Sequence, residues 1–111
     1  MARRGLGEFE QQVLLTILRL GGEAYSVPMV VEMEQRSGRE VSQAAVYIAL
    51  RRLEDKKLVA SRMVTPTETG NVRERRYFKV NTAGRERLEE SRRTMDRFWE
   101  GLDGRAEGGS R

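Results

Sequence analysis

The spacing of apolar residues changes twice along the chain, from a helical period to an alternating one and back again. Residues 8–57 hold three segments with apolar residues at intervals of three and four, and this spacing places them on one face of a helix. Residues 58–65 and 72–80 are rich in β-branched and alternating residues, with turn formers at 66–71. A last helical segment runs from 82 to about 100. The order predicts three helices, a β-hairpin and a fourth helix.

The ends of these helices carry capping signals. The first helix is predicted over residues 8–20, where a pair of glycines ends it. Ser26 is predicted to cap the second helix, which ends at Gly38, and Ser42 is predicted to cap the third. The apolar residues that the second helix carries are Val27, Val30 and Val31.

The predicted fold is mainly α with a β-hairpin wing, a winged helix-turn-helix followed by a C-terminal dimerisation helix. Three short helices with a sharp turn before the third are typical of a helix-turn-helix unit, and a hairpin directly behind it supplies the wing. The predicted divisions are a DNA-binding domain at 1–80, a dimerisation helix at 81–102 and a flexible tail at 103–111.

Composition excludes several classes of function. The chain has 111 residues and contains neither cysteine nor histidine, which removes disulfides, thiolate chemistry, the commonest metal ligand and the commonest general base. It also shows no phosphate-cradling glycine loop and no nucleophile–base pair. We therefore expect no enzyme activity, cofactor or metal site. No apolar run approaches the length of a membrane span, and the basic N-terminus is followed by no apolar segment, so neither a membrane partner nor a signal peptide is expected.

Positive charge is concentrated in the middle of the chain. Residues 39–85 contain 11 basic and 5 acidic residues, whereas the rest of the chain contains 10 and 12. Such a basic centre favours a polyanion as partner. The alternative is an ordinary solvated surface in an arginine-rich protein, since 18 of the 21 cations are arginine.

The outward face of the third helix carries side chains that suit DNA. In a helix-turn-helix, the first residues of this helix meet base edges in the major groove. Gln43 can pair with adenine, Ala44 allows close approach to a thymine methyl group, and Tyr47 and Arg51 follow on the same face. Ser42 and the helix N-terminus suit a phosphate oxygen. The alternative is an exposed helix face with no ligand.

The hairpin adds cations to this picture. Arg73, Arg75 and Arg76 lie beside its turn, and Arg62 and Lys79 lie on its strands. A cationic hairpin tip can follow the DNA backbone or enter a narrow minor groove. Together the two elements predict a sequence-specific DNA-binding protein. The alternative is a winged-helix module that binds another protein and no DNA.

Two motifs in this order resemble the PadR family of transcriptional regulators. They are Val46-Tyr47-x-x-Leu50-x-Arg52-Leu53-Glu54 and Tyr77-x-x-Val80-x-x-x-Gly84, preceded by the similar opening Leu6-Gly7-Glu8-Phe9-Glu10. The resemblance covers residues 6–99, and the short C-terminal region resembles the small subgroup with a single trailing helix. It implies winged-helix binding to double-stranded operator DNA, homodimers formed through the C-terminal helix, a cytoplasmic location, and repression relieved by a small molecule. The chain departs from the family at Ser26, Ala44 and Lys57, where glycine is frequent, so Lys57 is expected at a backbone position suited to positive φ.

The last helix carries a seam of large apolar residues, which predicts a dimer contact shared with the wide apolar arc of the first helix. The predicted contact residues are Phe9, Leu88, Met95, Phe98, Trp99 and Leu102. Packing of the seam on the protomer's own core is the alternative. Trp99, with Met95 and Phe98 around it, is also predicted to line a pocket between subunits for a small aromatic or lipophilic effector; the alternative is that Trp99 only seals the dimer contact.

Overall fold

The computed structural model of the chain describes residues 5–65 and 74–102. Its helices are α1 (Glu8–Arg19), α2 (Ser26–Ser37), α3 (Gln43–Asp55) and α4 (Thr82–Trp99). Its strands are β1 (Glu23–Ala24), β2 (Val59–Val64) and β3 (Arg75–Val80). The prediction of three helices, a hairpin and a fourth helix is therefore confirmed. The predicted turn at 66–71 and the predicted tail at 103–111 lie outside the described residues.

The hairpin is part of a three-stranded antiparallel sheet with the order β1-β3-β2. The sequence gives no strand signal for the two residues of β1, which follow a turn at Gly21 and Gly22 where φ is 105° and 101°. Residues directly opposite each other share a face of the sheet. Ser61 therefore lies on the same face as Phe78, and Arg62 lies on the opposite face with Tyr77.

A single core lies between the first three helices and the inner face of the sheet. Its largest fully buried side chains are Phe78, Leu14, Ile17, Met29, Leu50, Leu53, Val13 and Val46. Phe9, which was expected at the dimer contact, is half-buried and packs against this core. The wide apolar arc of α1 is thus used mainly inside the protomer, although Leu15 remains exposed.

Helix α2 buries two methionines, and of its three valines only Val30 packs against the core. Met29 and Met33 enter the core, whereas Val27 and Val31 are exposed. Residues four positions apart share a helix face, so the two methionines form the inward stripe and the two valines face outward.

The start of α2 is also displaced by one residue. Tyr25 occupies the N-cap position with an extended backbone, and Ser26 is the first helical residue, so the prediction that Ser26 caps the helix is wrong. Gly38 ends the helix with φ of 73°, as predicted. The predicted cap of α3 is confirmed, because the Ser42 hydroxyl accepts a hydrogen bond from the backbone N–H of Ala45 at 3.1 Å.

The turn after α3 places a lysine at a left-handed backbone position. Lys57 has φ of 63°, as expected from the glycine that the family often has there. The backbone N–H of Leu58 donates to the carbonyl of Leu53 at 3.0 Å, and that of Lys57 donates to Glu54 at 2.9 Å; this is the hydrogen-bond pattern of a Schellman motif. Asn81 Nδ2 also donates to the Lys57 carbonyl at 3.0 Å.

Helix α4 touches the core only through its first two turns. The Asn81 side chain caps it by accepting from the N–H of Gly84 at 2.8 Å, and Gly84 and Leu88 are its buried residues. Leu88, which was predicted to lie in the dimer seam, packs in the protomer's own core. A helix of 18 residues is about 27 Å long, and the half beyond Leu88 extends past the core.

Candidate nucleic-acid interface

The predicted DNA-reading side chains lie together on the exposed face of α3. Gln43, Ala44, Tyr47 and Arg51 are all exposed, because the buried residues of the helix occupy the other face. Gln43 Nε2 donates to the hydroxyl of Ser26 at 3.2 Å. This bond brings the first turns of α2 and α3 side by side, so two helix N-termini, which attract anions, open on the same surface.

Tyr47 and Arg51 are held against each other one turn apart. Arg51 Nη1 donates to the Tyr47 hydroxyl at 3.2 Å, and its guanidinium carbon lies 5.9 Å from the centre of the tyrosine ring. The edge of the Tyr47 ring packs on Phe78, with ring centres 6.0 Å apart. The hydrogen bond to Tyr47 raises the pKa of Arg51 above its ordinary value, so this face of α3 carries a fixed positive charge.

A carboxylate connects Arg51 to the hairpin. Glu54 Oε1 lies 3.3 Å from Arg51 Nε, and its Oε2 accepts a hydrogen bond from the Ser61 hydroxyl at 2.6 Å. The same hydroxyl accepts from Arg76 Nη1 at 2.9 Å. Arg76 is therefore half-buried on the inner face of the hairpin and turned towards α3. Arg76 is thus less exposed than Arg75, the other predicted wing cation that the structure describes.

The outer face of the sheet holds a second group of charged and aromatic side chains. Arg62 donates to both carboxylate oxygens of Glu23, at 2.7 and 3.1 Å. It was expected to be available to a ligand, but in the structure it is paired with Glu23. The hydrogen bond from Arg62 lowers the pKa of Glu23. Tyr25 and Tyr77 pack with ring centres 5.1 Å apart, and the Arg75 guanidinium lies 4.6 Å from the centre of the Tyr25 ring.

The cations that remain outward are thus fewer than the sequence suggests. Arg75 and Lys79 are exposed on β3, and Arg75 lies over Tyr25, the N-cap residue of α2. Arg73 lies outside the described residues. The helix N-termini, Gln43, Arg51 and Arg75 form one surface with polar donors and positive charge, which suits a phosphate backbone with accessible base edges.

A separate apolar groove runs between α1 and α4. It has a volume of about 580 Å³, and its apolar side chains are Leu15, Leu18, Leu88, Met95 and Trp99. Met95 and Trp99 are 54% and 53% exposed. Phe98 is 73% exposed and does not line the groove, so the three residues predicted for an effector pocket do not lie together within one protomer. Leu102, just beyond the helix, is also exposed.

Two further features of the described residues bear on function. No group of three or more histidine, cysteine, aspartate or glutamate side chains in this part of the chain could hold a metal ion. None of the helices at 5–65 and 74–102 combines the length and apolar character needed to cross a membrane.

Comparison with known families decides the identity of this fold. The model of the family described as "Transcriptional regulator PadR-like family" matches residues 14–90, from the middle of α1 to the middle of α4. The chain belongs to the PadR-like family. Membership makes it a DNA-binding transcriptional regulator, and the resemblance inferred from the two sequence motifs is confirmed. A search of curated protein sequences finds no match.

Solved structures agree on the fold. A PadR-like transcriptional regulator from Bacillus cereus is 20% identical with a TM-score of 0.69, and the match covers 90% of this chain and 92% of that chain. A PadR family regulator from Eggerthella lenta is 22% identical with a TM-score of 0.67, covering 93% and 88%. A winged-helix DNA-binding protein from STIV is 13% identical with a TM-score of 0.66, covering 83% and 91%. The predicted winged-helix architecture is confirmed.

Sequence reasoning missed the residues that hold the PadR-like surface in place. Glu54 enters the sequence analysis only as the last residue of a family motif, and the patterns used there do not single out Ser61 or Tyr25. The contact between Glu54 and Arg51 could have been predicted from helix spacing, because Glu54 lies three residues after Arg51 on the same face of α3. Contacts of Ser61 and Tyr25 depend on strand register, which the sequence alone did not fix.

Proposed function

We propose that the chain is a cytoplasmic repressor that binds operator DNA as a homodimer and leaves it when a small aromatic or lipophilic molecule binds. The observation that carries this proposal is the joint exposure of Gln43, Ala44, Tyr47 and Arg51 on one face of α3, beside a cationic hairpin. Family membership supplies the regulatory role. The exposed face of α3 and the hairpin provide the residues that are proposed to contact DNA.

Each part of the surface has a distinct task in this proposal. Gln43 and Arg51 read base edges, Ala44 lets the helix approach closely, and Ser42 with the helix N-terminus holds a phosphate. Arg73 and Arg75 contact the DNA backbone from the hairpin. Arg76 contributes through its contact with Ser61, not as a phosphate ligand.

The dimer is proposed to form through the outer half of α4 and the exposed edge of α1. Met95, Phe98, Trp99 and Leu102 leave a large apolar surface uncovered at the end of the molecule, and Leu15 continues it onto α1. An exposed apolar patch of this kind is typical of a protein–protein contact. A second α4 packed antiparallel along the mouth of the groove would contact both helices of each protomer and leave the groove enclosed between the subunits.

The same groove supports the proposed effector site. Its volume of about 580 Å³ lies within the range of small-molecule sites, and Met95 and Trp99 give it polarisable and aromatic walls. A ligand there releases DNA only by binding one spacing of the two α3 helices better than the other. Titration of planar aromatic compounds should therefore quench Trp99 fluorescence saturably and weaken DNA binding in parallel; quenching that leaves DNA binding unchanged would reject the effector role.

Selection of bound sequences from a pool of randomised duplex DNA tests the proposed function. A twofold dimer with two α3 helices should enrich an inverted repeat whose half-sites lie one helical turn, about 34 Å, apart. Sedimentation of the complex should show two protomers on one duplex. Absence of any enriched sequence, together with absence of salt-sensitive binding to duplex DNA, would instead favour a winged-helix module that binds another protein.

A further inference from the structure

Four side chains form a continuous line of contacts from the exposed face of α3 to the hairpin. Arg51 Nε contacts Glu54 Oε1 at 3.3 Å, Glu54 Oε2 accepts from the Ser61 hydroxyl at 2.6 Å, and that hydroxyl accepts from Arg76 Nη1 at 2.9 Å. Glu54 is the centre of the line because each of its oxygens holds one side. The other three residues lie on two different elements, α3 and the hairpin.

These contacts leave one edge of Arg51 open. A guanidinium has five N–H donors. In this structure Nε faces Glu54 and one Nη1 hydrogen faces the Tyr47 hydroxyl. Among the described residues, no other hydrogen bond uses the remaining Nη1 hydrogen or the two on Nη2. Two parallel donors at the end of the group are what bidentate binding to guanine O6 and N7 requires.

We propose that Glu54 is a positioning residue for base recognition: it orients the Arg51 guanidinium and ties that orientation, through Ser61 and Arg76, to the seating of the hairpin. The proposal rests on the proposed function, since it assumes that Arg51 reads a base. The Glu54 side chain is 30% exposed and that of Arg51 is 50% exposed, so the pair lies at the surface where DNA would bind, not in the core.

The positioning role of Glu54 can be distinguished from a simple effect of its charge, because the two change DNA binding differently. A carboxylate beside Arg51 repels the DNA backbone and lowers affinity for every sequence. Removal of the charge alone should therefore strengthen binding to all duplexes. If Glu54 also orients Arg51, its removal should weaken discrimination between the preferred base pair and others while general affinity rises. Loss of the charge raises affinity for the preferred duplex, whereas loss of the Arg51 orientation lowers it.

Asp55 provides a matched control. It is the next residue on α3, is exposed, and acts on Arg51 through its charge, as Glu54 does, but unlike Glu54 it forms no ion pair with Arg51 among the described residues. Asp55→Asn removes the same charge from the same end of the helix. It should raise affinity for preferred and substituted duplexes by the same factor and leave their ratio unchanged.

The experiment uses the full chain and the duplex that it selects from a randomised pool. Arg51→Ala first identifies the base pair whose substitution no longer matters. Binding of that duplex and of its substituted version is then measured for wild type, Glu54→Gln and Asp55→Asn. A bidentate contact is worth about 5- to 150-fold in discrimination, and we expect Glu54→Gln to lose roughly 5-fold or more of it. The ratio of the two affinities is independent of the folded fraction, so partial unfolding of a variant does not affect it.

Ser61 tests the link to the hairpin. Ser61→Ala removes the hydroxyl that joins Glu54 to Arg76, whereas Ser61→Thr retains a hydroxyl at the same position. We expect reduced discrimination at the Arg51 base pair for the alanine variant and recovery for the threonine variant. In the double variant Arg51→Ala/Glu54→Gln, loss of Glu54 should cause no further loss of discrimination.

The outcomes separate the inference from the function on which it rests. Failure to select any sequence, or a variant Arg51→Ala that discriminates as well as wild type, overturns the reading role of Arg51 and the positioning role with it. Selection of a clear site, with Glu54→Gln and Asp55→Asn showing the same unchanged ratio, overturns the positioning role alone.

Discussion

Substitution of Gly84 by alanine tests how α4 is seated on the winged-helix domain. A Cβ atom at this position would overlap the carbonyl oxygen of Leu58 and lie 2.9 Å from Cγ1 of Val80. The carbonyl belongs to rigid backbone, because it also accepts the N–H of Asn81 at 3.2 Å. Neither neighbour can move without disturbing the cap of α4, so the helix itself must shift outwards.

The expected cost follows from two opposing terms. Overpacking of a tight contact costs about 1–3 kcal/mol, and the better helix propensity of alanine returns at most about 1 kcal/mol. Where overpacking is at its largest, the net cost is about 2 kcal/mol. We expect Gly84→Ala to lower the free energy of unfolding by this amount, which is equivalent to a fall in Tm of roughly 8–16 °C for a domain of this size.

Thermal unfolding followed by far-ultraviolet circular dichroism, at one fixed protein concentration, measures this change. Gly5→Ala is the matched control, because a Cβ at Gly5 meets nothing within 4 Å and its Tm should stay near that of wild type. A Tm for Gly84→Ala equal to that of the control would refute the argument that α4 is fixed by close approach to Leu58. Weaker dimer formation should accompany the loss of stability, because α4 also carries the proposed dimer contact.

Three further changes follow from the structure. Lys57→Gly should stabilise the fold by roughly 1 kcal/mol in urea unfolding, because Lys57 has φ of 63° and glycine avoids the cost of a left-handed side chain; a lower stability would show that the greater conformational entropy of glycine in the unfolded chain outweighs that strain. Burial opposes ionisation of the Glu10 carboxyl, but hydrogen bonds from Lys56 and the Gly7 N–H hold its pKa below the ordinary 4.5. Its contribution to stability is therefore complete above about pH 4.5 and lost as pH falls through the lower pKa of the folded state; Tm should fall less steeply below pH 4.5 in Glu10→Gln than in wild type, and equal slopes would contradict the assignment. Met95→Asp should convert the dimer to a monomer in sedimentation, because a charge buried in an apolar contact is strongly unfavourable; a stable dimer would exclude α4 as the contact.

Helix positions were the most predictable part of the fold. The apolar period and the cap at Ser42 placed α3 correctly, and with it the outward direction of Gln43, Tyr47 and Arg51. This worked because a helix couples residues three and four positions apart, so local sequence determines which side chains share a face. The positive φ of Lys57 was predictable only through the family resemblance, because glycine is frequent at this position in the family.

Contacts between distant segments were not predictable in the same way. The two residues of β1 form a strand only because β3 is available to pair with them. Arg62 and Arg76 looked alike in the sequence, yet one pairs with Glu23 and the other with Ser61. The difference comes from strand register, which puts neighbouring cations on opposite faces of the sheet. Leu88 and Met95 fall on one helical seam, but only Leu88 is within reach of the core.

The DNA-binding role of α3 and the hairpin is tested most directly by dividing affinity into its base-dependent and base-independent parts. Binding of the selected duplex and of base-substituted versions is measured over a series of salt concentrations for wild type, Arg51→Ala and the double variant Arg73→Ala/Arg75→Ala. We predict that Arg51→Ala changes affinity for some base pairs and not others, and that the hairpin variant weakens binding to all sequences and lowers the salt slope by about 2 per protomer. Equal affinities and salt slopes for all three proteins would contradict the assignment of this surface to DNA.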